Sequence, residues 1–267
     1  LMYHRFDENK YPSTNIQMDV FKKQIKIIKS LEYNYYDPGD LEISFHIPKK
    51  EKKILITIDD AFSSFYEAAW PYLKEKKIPL ILFVSTETVG KNGYMTWTQI
   101  KELEKYSNVY IGNHSHSHDY LVDLNKDDFI KDINIANEEF VENIGYNPIF
   151  FSYPFGEYSK FIKDYIIKNF KFSFGQHSGV IDINKDPYEL PRFPINEKYG
   201  DLKRFEFLVN LEPFQYRALY PNDKYLTKNN PPQFSVEFFN EQKNLINLNC
   251  FSDEGNEWKK SDVDLNK

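Results

Sequence analysis

The sequence predicts an α/β fold of repeated strand–helix units followed by a β-rich appendage, and three observations predict it. Short β-branched apolar runs alternate with amphipathic stretches between residues 53 and 175. Residues able to do chemistry gather where those runs end. Beyond about residue 200 the pattern changes to short apolar runs separated by Pro- and Asn-rich turns. Repeated β–α units imply parallel strands joined by right-handed crossovers. We read residues 1–204 as the α/β domain and 205–267 as the β-rich extension.

Taken in order, "KILITI" (53–58) is a strand by length and β-branching. "FYEAAWPYLKEKK" (65–77) follows as a helix with Pro71 near its start. "LILFVST" (80–86) is the next strand, and "TWTQIKELEKY" (96–106) the next helix, capped by Thr96 or Thr98. "VYIGN" (109–113) is a strand. Phe129, Ile133, Ala136, Phe140 and Ile144 then recur at helical spacing until Gly145 stops the helix. "IFFSY" (149–153), a helix near 159–169 and "FSFG" (172–175) continue the alternation. In the tail, "PFQYRALYP", "PPQFSVEFFN" and "NLINLNCFS" read as strands between turns.

Composition removes several function classes. A net charge of −6 and a pI near 5.6 argue against a nucleic-acid or anionic-membrane partner. The lysine run "PKKEKKI" (48–54) reads as a solvated loop. The single cysteine, Cys250, excludes an internal disulfide framework and a cysteine-based zinc site. No stretch reaches the uninterrupted apolar length of a transmembrane helix, and no signal peptide is visible. The chain begins at Leu1 rather than Met, so cytoplasmic and exported locations both stay open.

The candidate chemistry lies at strand ends, where parallel sheets and barrels build their sites. Asp59 and Asp60 end one strand, "HSHSH" (114–118) follows another, and "YPFG" (153–156) follows a third. In an extended backbone His114, His116 and His118 share a face; in a helix only His114 and His118 do. A carboxylate and two imidazoles make a hydrolytic metal site with positions left open for water and substrate. Asp60, His114 and His118 supply that set, and Asp59 points the other way, toward the water.

These motifs resemble the polysaccharide deacetylase family, the NodB-homology domains of carbohydrate esterase family 4. "TIDDAF" (57–62) is similar to the family's T-F-D-D motif, "NHSHSH" (113–118) to its N-H-[ST]-x-[ST]-H motif, and "SYPFGEY" (152–158) to its R-x-P-[YF]-[GD] segment. The resemblance covers roughly residues 1–200 and implies a distorted (β/α) barrel. It implies that Asp59 is the general base and that Asp60, His114 and His118 are the ligands of a divalent metal. Zn2+ is the first expectation, with Co2+, Ni2+ or Mn2+ also suited to such ligands. His116 then falls in the motif's variable position, while Ser115 and Ser117 support the ligands or form the turn. Tyr153, Pro154 and Phe155 line the substrate side, with the Phe155 N–H on the oxyanion.

Two departures from the family pattern shape further expectations. Ser152 stands where the family carries an arginine that holds the base; Arg192, in "LPRFP" (190–194), is the candidate replacement, because a guanidinium binds a carboxylate bidentately. The family's late L-x-H motif, source of the general acid, is missing after His177. The opening "LMYHRF" (1–6) resembles that motif moved to the N-terminus, an order found in poly-N-acetylglucosamine deacetylases, as is a segment similar to "YPSTNI" (11–16). First and last strands of a closed barrel are neighbours, so such a permutation preserves the site. His4 is therefore the expected acid, His177 the second candidate, and His46 a loop residue. The implied activity is removal of N-acetyl groups from an amino-sugar polymer or oligomer. An O-acetyl esterase, a small-molecule amidase and an inactive sugar-binding module are the alternatives.

Overall fold

The computed structural model describes residues 1–47, 51–226, 231–239, 245–253 and 257–265. The chain divides into two compact units, residues 1–214 and 215–267.

The first unit is organised by six parallel strands in chain order: β1 (Met2–Tyr3), β2 (Ile56–Ile58), β3 (Leu80–Val84), β4 (Val109–Asn113), β5 (Phe150–Ser152) and β6 (Phe172–Phe174). β3 is buried at every position, as expected of a parallel strand covered on both faces. A segment outside the sheet joins its two edges. Leu190 bridges to Phe174, Pro194 bridges to Met2, and the Met2 N–H donates to the Phe193 carbonyl at 2.9 Å. The sheet therefore curls into the distorted barrel, and its C-terminal strand ends collect on one rim. Gly112 in β4 leaves room for the Phe83 ring of β3, because a Cβ there would lie 2.3 Å from it.

Helices cover the outside: α1 (Met18–Ser30), α2 (Trp70–Lys76), α3 (Trp97–Glu104), α4 (Lys126–Ile144), α5 (Lys160–Asn169) and α6 (Leu202–Val209). Thr96 caps α3 through a reciprocal bond pair with Gln99, and Gly145 ends α4 at a left-handed φ of 87°. Among the described residues no helix is long and apolar enough to cross a membrane.

Several expectations need correction. The run 53–58 is two strands: Lys53–Ile54 pairs with Asn34–Tyr35, and only Ile56–Ile58 enters the barrel. The helix expected over 65–77 begins as a π-helical turn, Phe65–Ala69, in which the Trp70 N–H bonds the Phe65 carbonyl; Pro71, which lacks an N–H, follows it. His46 is the last residue of a short helix, Leu41–His46, rather than a loop residue. The first unit also runs past residue 204, because Phe205, Leu208 and Val209 of α6 are buried in the main core.

The second unit contains two antiparallel pairs, Ala218–Tyr220 with Ser235–Glu237 and Cys250–Asp253 with Trp258–Ser261. Of the strand expected at 244–252, residue 244 lies outside the described residues, Leu245–Asn247 form a short 3-10 turn, and the strand begins at Cys250. Residues 48–50 of the lysine run lie outside the described residues.

Candidate active site

Four strand ends and the edge-joining segment bring the predicted residues to one rim. β1 delivers His4, β2 delivers Asp59 and Asp60, β4 delivers His114, β5 leads into Tyr153–Phe155, and Arg192 lies on the joining segment. The backbone there is unusual. Asp60, Ala61, Ser115, His118 and Phe155 all take positive φ, between 54° and 70°, although none is glycine. Left-handed conformations cost energy for such residues and persist where the surroundings enforce them, a pattern associated with functional sites.

Asp60, His114 and His118 place one ligand atom each within 4.8 Å of one another. Asp60 Oδ1 is 3.4 Å from His114 Nε2 and 3.2 Å from His118 Nε2. Ligands held at 2.0–2.1 Å around a tetrahedral ion are separated by roughly 3.4 Å, so these spacings fit a shared cation. The other ring nitrogen of His114, Nδ1, lies 2.7 Å from the Ser152 carbonyl. Donation there fixes the tautomer that turns the Nε2 lone pair toward Asp60. Asp60 Oδ1 and His114 Nε2 are buried and have no hydrogen-bond partner. Leaving such atoms unmatched is costly unless something else meets them. The donor set and its two orphaned atoms therefore fit a divalent metal. Burial opposes the Asp60 charge, but the two facing imidazoles hold its carboxyl well below the usual range. His118 is pushed up by the same carboxylate against the effect of burial.

Asp59, fully buried, has the opposite environment. Arg192 Nη1 donates to Oδ1 at 2.7 Å and Nη2 to Oδ2 at 2.8 Å, a bidentate pair. The remaining guanidinium donors reach Thr57 Oγ1, Ser152 Oγ and the Gly175 carbonyl at 2.9, 2.7 and 2.8 Å. Burial raises the Asp59 carboxyl, yet the Arg192 charge outweighs it and leaves the pKa lowered. Asp59 Oδ2 also lies 3.8 Å from His114 Nε2, at the edge of the triad.

His4 is half-buried beside these groups; burial lowers its pKa, while Asp60 and Asp59 pull it upward. His177 is exposed, and its carbonyl accepts the Arg192 N–H at 3.0 Å. His116 faces away from the triad, with Nδ1 2.8 Å from Thr86 Oγ1 and 3.7 Å from Glu139. Ser115 Oγ accepts the His118 N–H at 3.0 Å, and Ser117 Oγ accepts the Asp119 N–H at 3.1 Å. Pro154 starts the short turn Pro154–Gly156. The turn's own bonds run from the Gly156 and Glu157 N–H groups, and leave the Phe155 N–H out. The Tyr153 side chain differs from the expectation of a substrate-facing group: it is buried in a core cluster, with its hydroxyl bonded to Ser173 Oγ and the Tyr188 carbonyl. Strand alternation sends it there, opposite to the rim.

Sequence reading missed three contributors. Ser152 was noticed for the arginine it lacks, yet its hydroxyl accepts from Arg192 and its carbonyl faces His114. Thr57 is a further Arg192 acceptor whose position inside a strand gave no signal. Tyr120, two residues past His118, stacks on Phe155 at 3.9 Å between centroids, and Phe155 packs edge-on against the His118 ring.

Comparisons with known proteins bear on the fold and on the family the chain resembles. The polysaccharide deacetylase family model matches residues 46–172. The chain is 27% identical over 202 residues to the poly-beta-1,6-N-acetyl-D-glucosamine N-deacetylase of Staphylococcus aureus, covering 68% of each protein. It is 25% identical over 162 residues to YxkH of Bacillus subtilis, covering 60% of this chain and 57% of that protein. The structure of the deacetylase PplD from Streptococcus pyogenes superposes with a TM-score of 0.70 at 20% identity, covering 79% of this chain and 97% of PplD, and shares the fold. Fold and site together define a distorted (β/α) barrel with a carboxylate and two imidazoles gathered at its rim. Over residues 46–172 the chain is similar to the polysaccharide deacetylase family.

Proposed function

We propose that the protein is a metal-dependent hydrolase that removes N-acetyl groups from an amino-sugar polysaccharide or oligosaccharide. One observation carries this reading: a buried, arginine-held carboxylate, Asp59, lies directly beside a triad two of whose three ligand atoms are orphaned. A purely binding site has no use for the first of these. The name of the Staphylococcus aureus relative supports the N-acetylated sugar as substrate.

Asp60, His114 and His118 would hold the cation, Zn2+ in first place, with Co2+, Ni2+ and Mn2+ suited by ligand type. When bound, a divalent ion supplies Lewis acidity toward the acetyl carbonyl and makes water a better nucleophile near neutral pH. Asp59, ionised because Arg192 stabilises its charge, takes the proton of the attacking water. Arg192 keeps that carboxylate fixed through two parallel bonds. The Phe155 N–H, free of the turn's own bonds, donates to the developing oxyanion. His4 gives a proton to the departing amine. Its lowered pKa makes it a stronger acid, present as a smaller protonated fraction at neutral pH.

The test is acetate release from N-acetylglucosamine oligomers by metal-reconstituted protein, with Asp59→Asn alongside. Release by the wild type that disappears in the variant supports the reading. Absence of release from protein carrying one equivalent of metal contradicts it and turns attention to acetyl esters.

A further inference from the structure

The loop that carries His118 is held by side chains rather than by secondary structure. Its four backbone amides in succession each meet a side-chain oxygen. The Ser115 N–H donates to Asn113 Oδ1 at 2.8 Å, His116 to Asp132 Oδ1 at 2.9 Å, Ser117 to Asp132 Oδ2 at 2.9 Å, and His118 to Ser115 Oγ at 3.0 Å. Asn113 and Ser115 belong to the loop or its feeding strand. Asp132 does not: it lies on α4, is 7% exposed, and uses both carboxylate oxygens on adjacent amides. Helix α4 holds the same segment at two further points, through Asn137 Oδ1, which accepts from Asn113 Nδ2 at 3.0 Å, and Glu139 beside His116.

Amides donated to a carboxylate form the stronger class of hydrogen bond. They are needed here because Ser115 and His118 both hold positive φ, 66° and 58°, without being glycine. A backbone bent this way relaxes unless its surroundings fix it. His118 also lacks the support that His114 has. The His114 ring is anchored by Nδ1 to the Ser152 carbonyl, whereas the His118 ring, 25% exposed, has Phe155 packed edge-on against it and otherwise follows its loop.

We infer that Asp132 is a positioning residue for the metal centre: by clamping the His116 and Ser117 amides it fixes the separation of His118 from His114 and Asp60. Asp132 touches neither the cation site nor the substrate side, so it acts through the loop alone. This rests on the reading of Asp60, His114 and His118 as a metal centre.

The experiment measures Zn2+ affinity by competition with a chromophoric chelator, and the melting temperature of the metal-free protein, for wild type, Asp132→Ala, Asp132→Asn and Leu103→Ala. Leu103, buried on α3, provides a variant that loses core packing without removing any of the loop's hydrogen-bond acceptors. Removing residues that orient metal ligands weakens binding by about 10–100-fold. Asp132→Ala is expected in that range. Asp132→Asn, which keeps one acceptor and folds more readily, is expected to lose less. Leu103→Ala should melt lower with unchanged affinity. A purely structural Asp132 would behave like Leu103: a lower melting temperature with wild-type Zn2+ affinity in both Asp132 variants overturns the inference while leaving the metal centre intact. Wild-type protein that binds no Zn2+ overturns the inference together with the reading on which it rests.

Discussion

On the Asp59 side of the site every donor of the Arg192 guanidinium meets an acceptor, whereas on the Asp60 side two buried atoms, Asp60 Oδ1 and His114 Nε2, have no hydrogen-bond partner. The two carboxylates are consecutive in the chain just past β2, and the left-handed turn at Asp60, φ 70°, accompanies their divergence. One half is electrostatically complete and therefore rigid. The other presents an unmatched carboxylate oxygen and imidazole nitrogen, a donor set suited to a divalent cation. The difference teaches where each kind of perturbation should register: affinity for metal on the Asp60 side, stability and proton transfer on the Asp59 side.

The sharpest break is expected at a ligand. His114→Ala should reduce metal affinity by more than about 100-fold, beyond the range for residues that only orient ligands, and should abolish acetate release. Equilibrium dialysis with metal analysis reads the first effect.

His4→Ala should bind metal as the wild type does but lose about 10²–10⁴ in kcat on an N-acetyl substrate, the range for a general acid. An acetyl ester, whose leaving group needs less protonation, should suffer much less. Equal losses on both substrates would remove His4 from the acid role.

Arg192→Ala leaves the Asp59 charge buried without its partner, which costs about 3–5 kcal/mol in comparable buried pairs. Chemical denaturation reads it. The pH dependence follows from the same pair. Asp59 has a folded-state pKa below its usual 3.8, so its contribution to stability is present above that value and is lost as pH falls through the folded pKa. Without Arg192, burial raises the carboxyl instead, and the acid limb of stability should move to higher pH.

The smallest effect is expected at His116, whose ring bonds Thr86 away from the triad. His116→Ala should change metal affinity and turnover by no more than a few-fold. A loss comparable to that of His114→Ala would mean that the wrong pair of histidines has been assigned.

Much of this was legible in the sequence because the relevant signals are local. Asp59–Asp60 and His114 end strands whose β-branched runs are plain, and the spacing of Phe129 to Phe140 gives α4 directly. Placement of His4 beside β2 depended on seeing that barrel ends meet, and the Met2–Thr57 pairing puts it there. What escaped was non-local or overlooked. α1 carries Met18, Phe21, Ile25 and Ile28 at helical spacing, and α6 has Asp201 as a cap before Phe205 and Leu208, so both were readable but passed over. The Arg192 acceptors Thr57 and Gly175 come together only through tertiary closure of the barrel, which no local pattern encodes. Tyr153 was misread because its motif neighbours line the rim while its own side chain alternates into the core.

The division of labour between neighbouring carboxylates is tested most directly by comparing Asp59→Asn and Asp60→Asn side by side, measuring bound metal per chain and acetate release from the same N-acetylglucosamine oligomers. The account predicts that Asp59→Asn keeps one equivalent of metal and loses turnover, while Asp60→Asn loses both. Metal lost from Asp59→Asn, or retained at full affinity by Asp60→Asn, would contradict it.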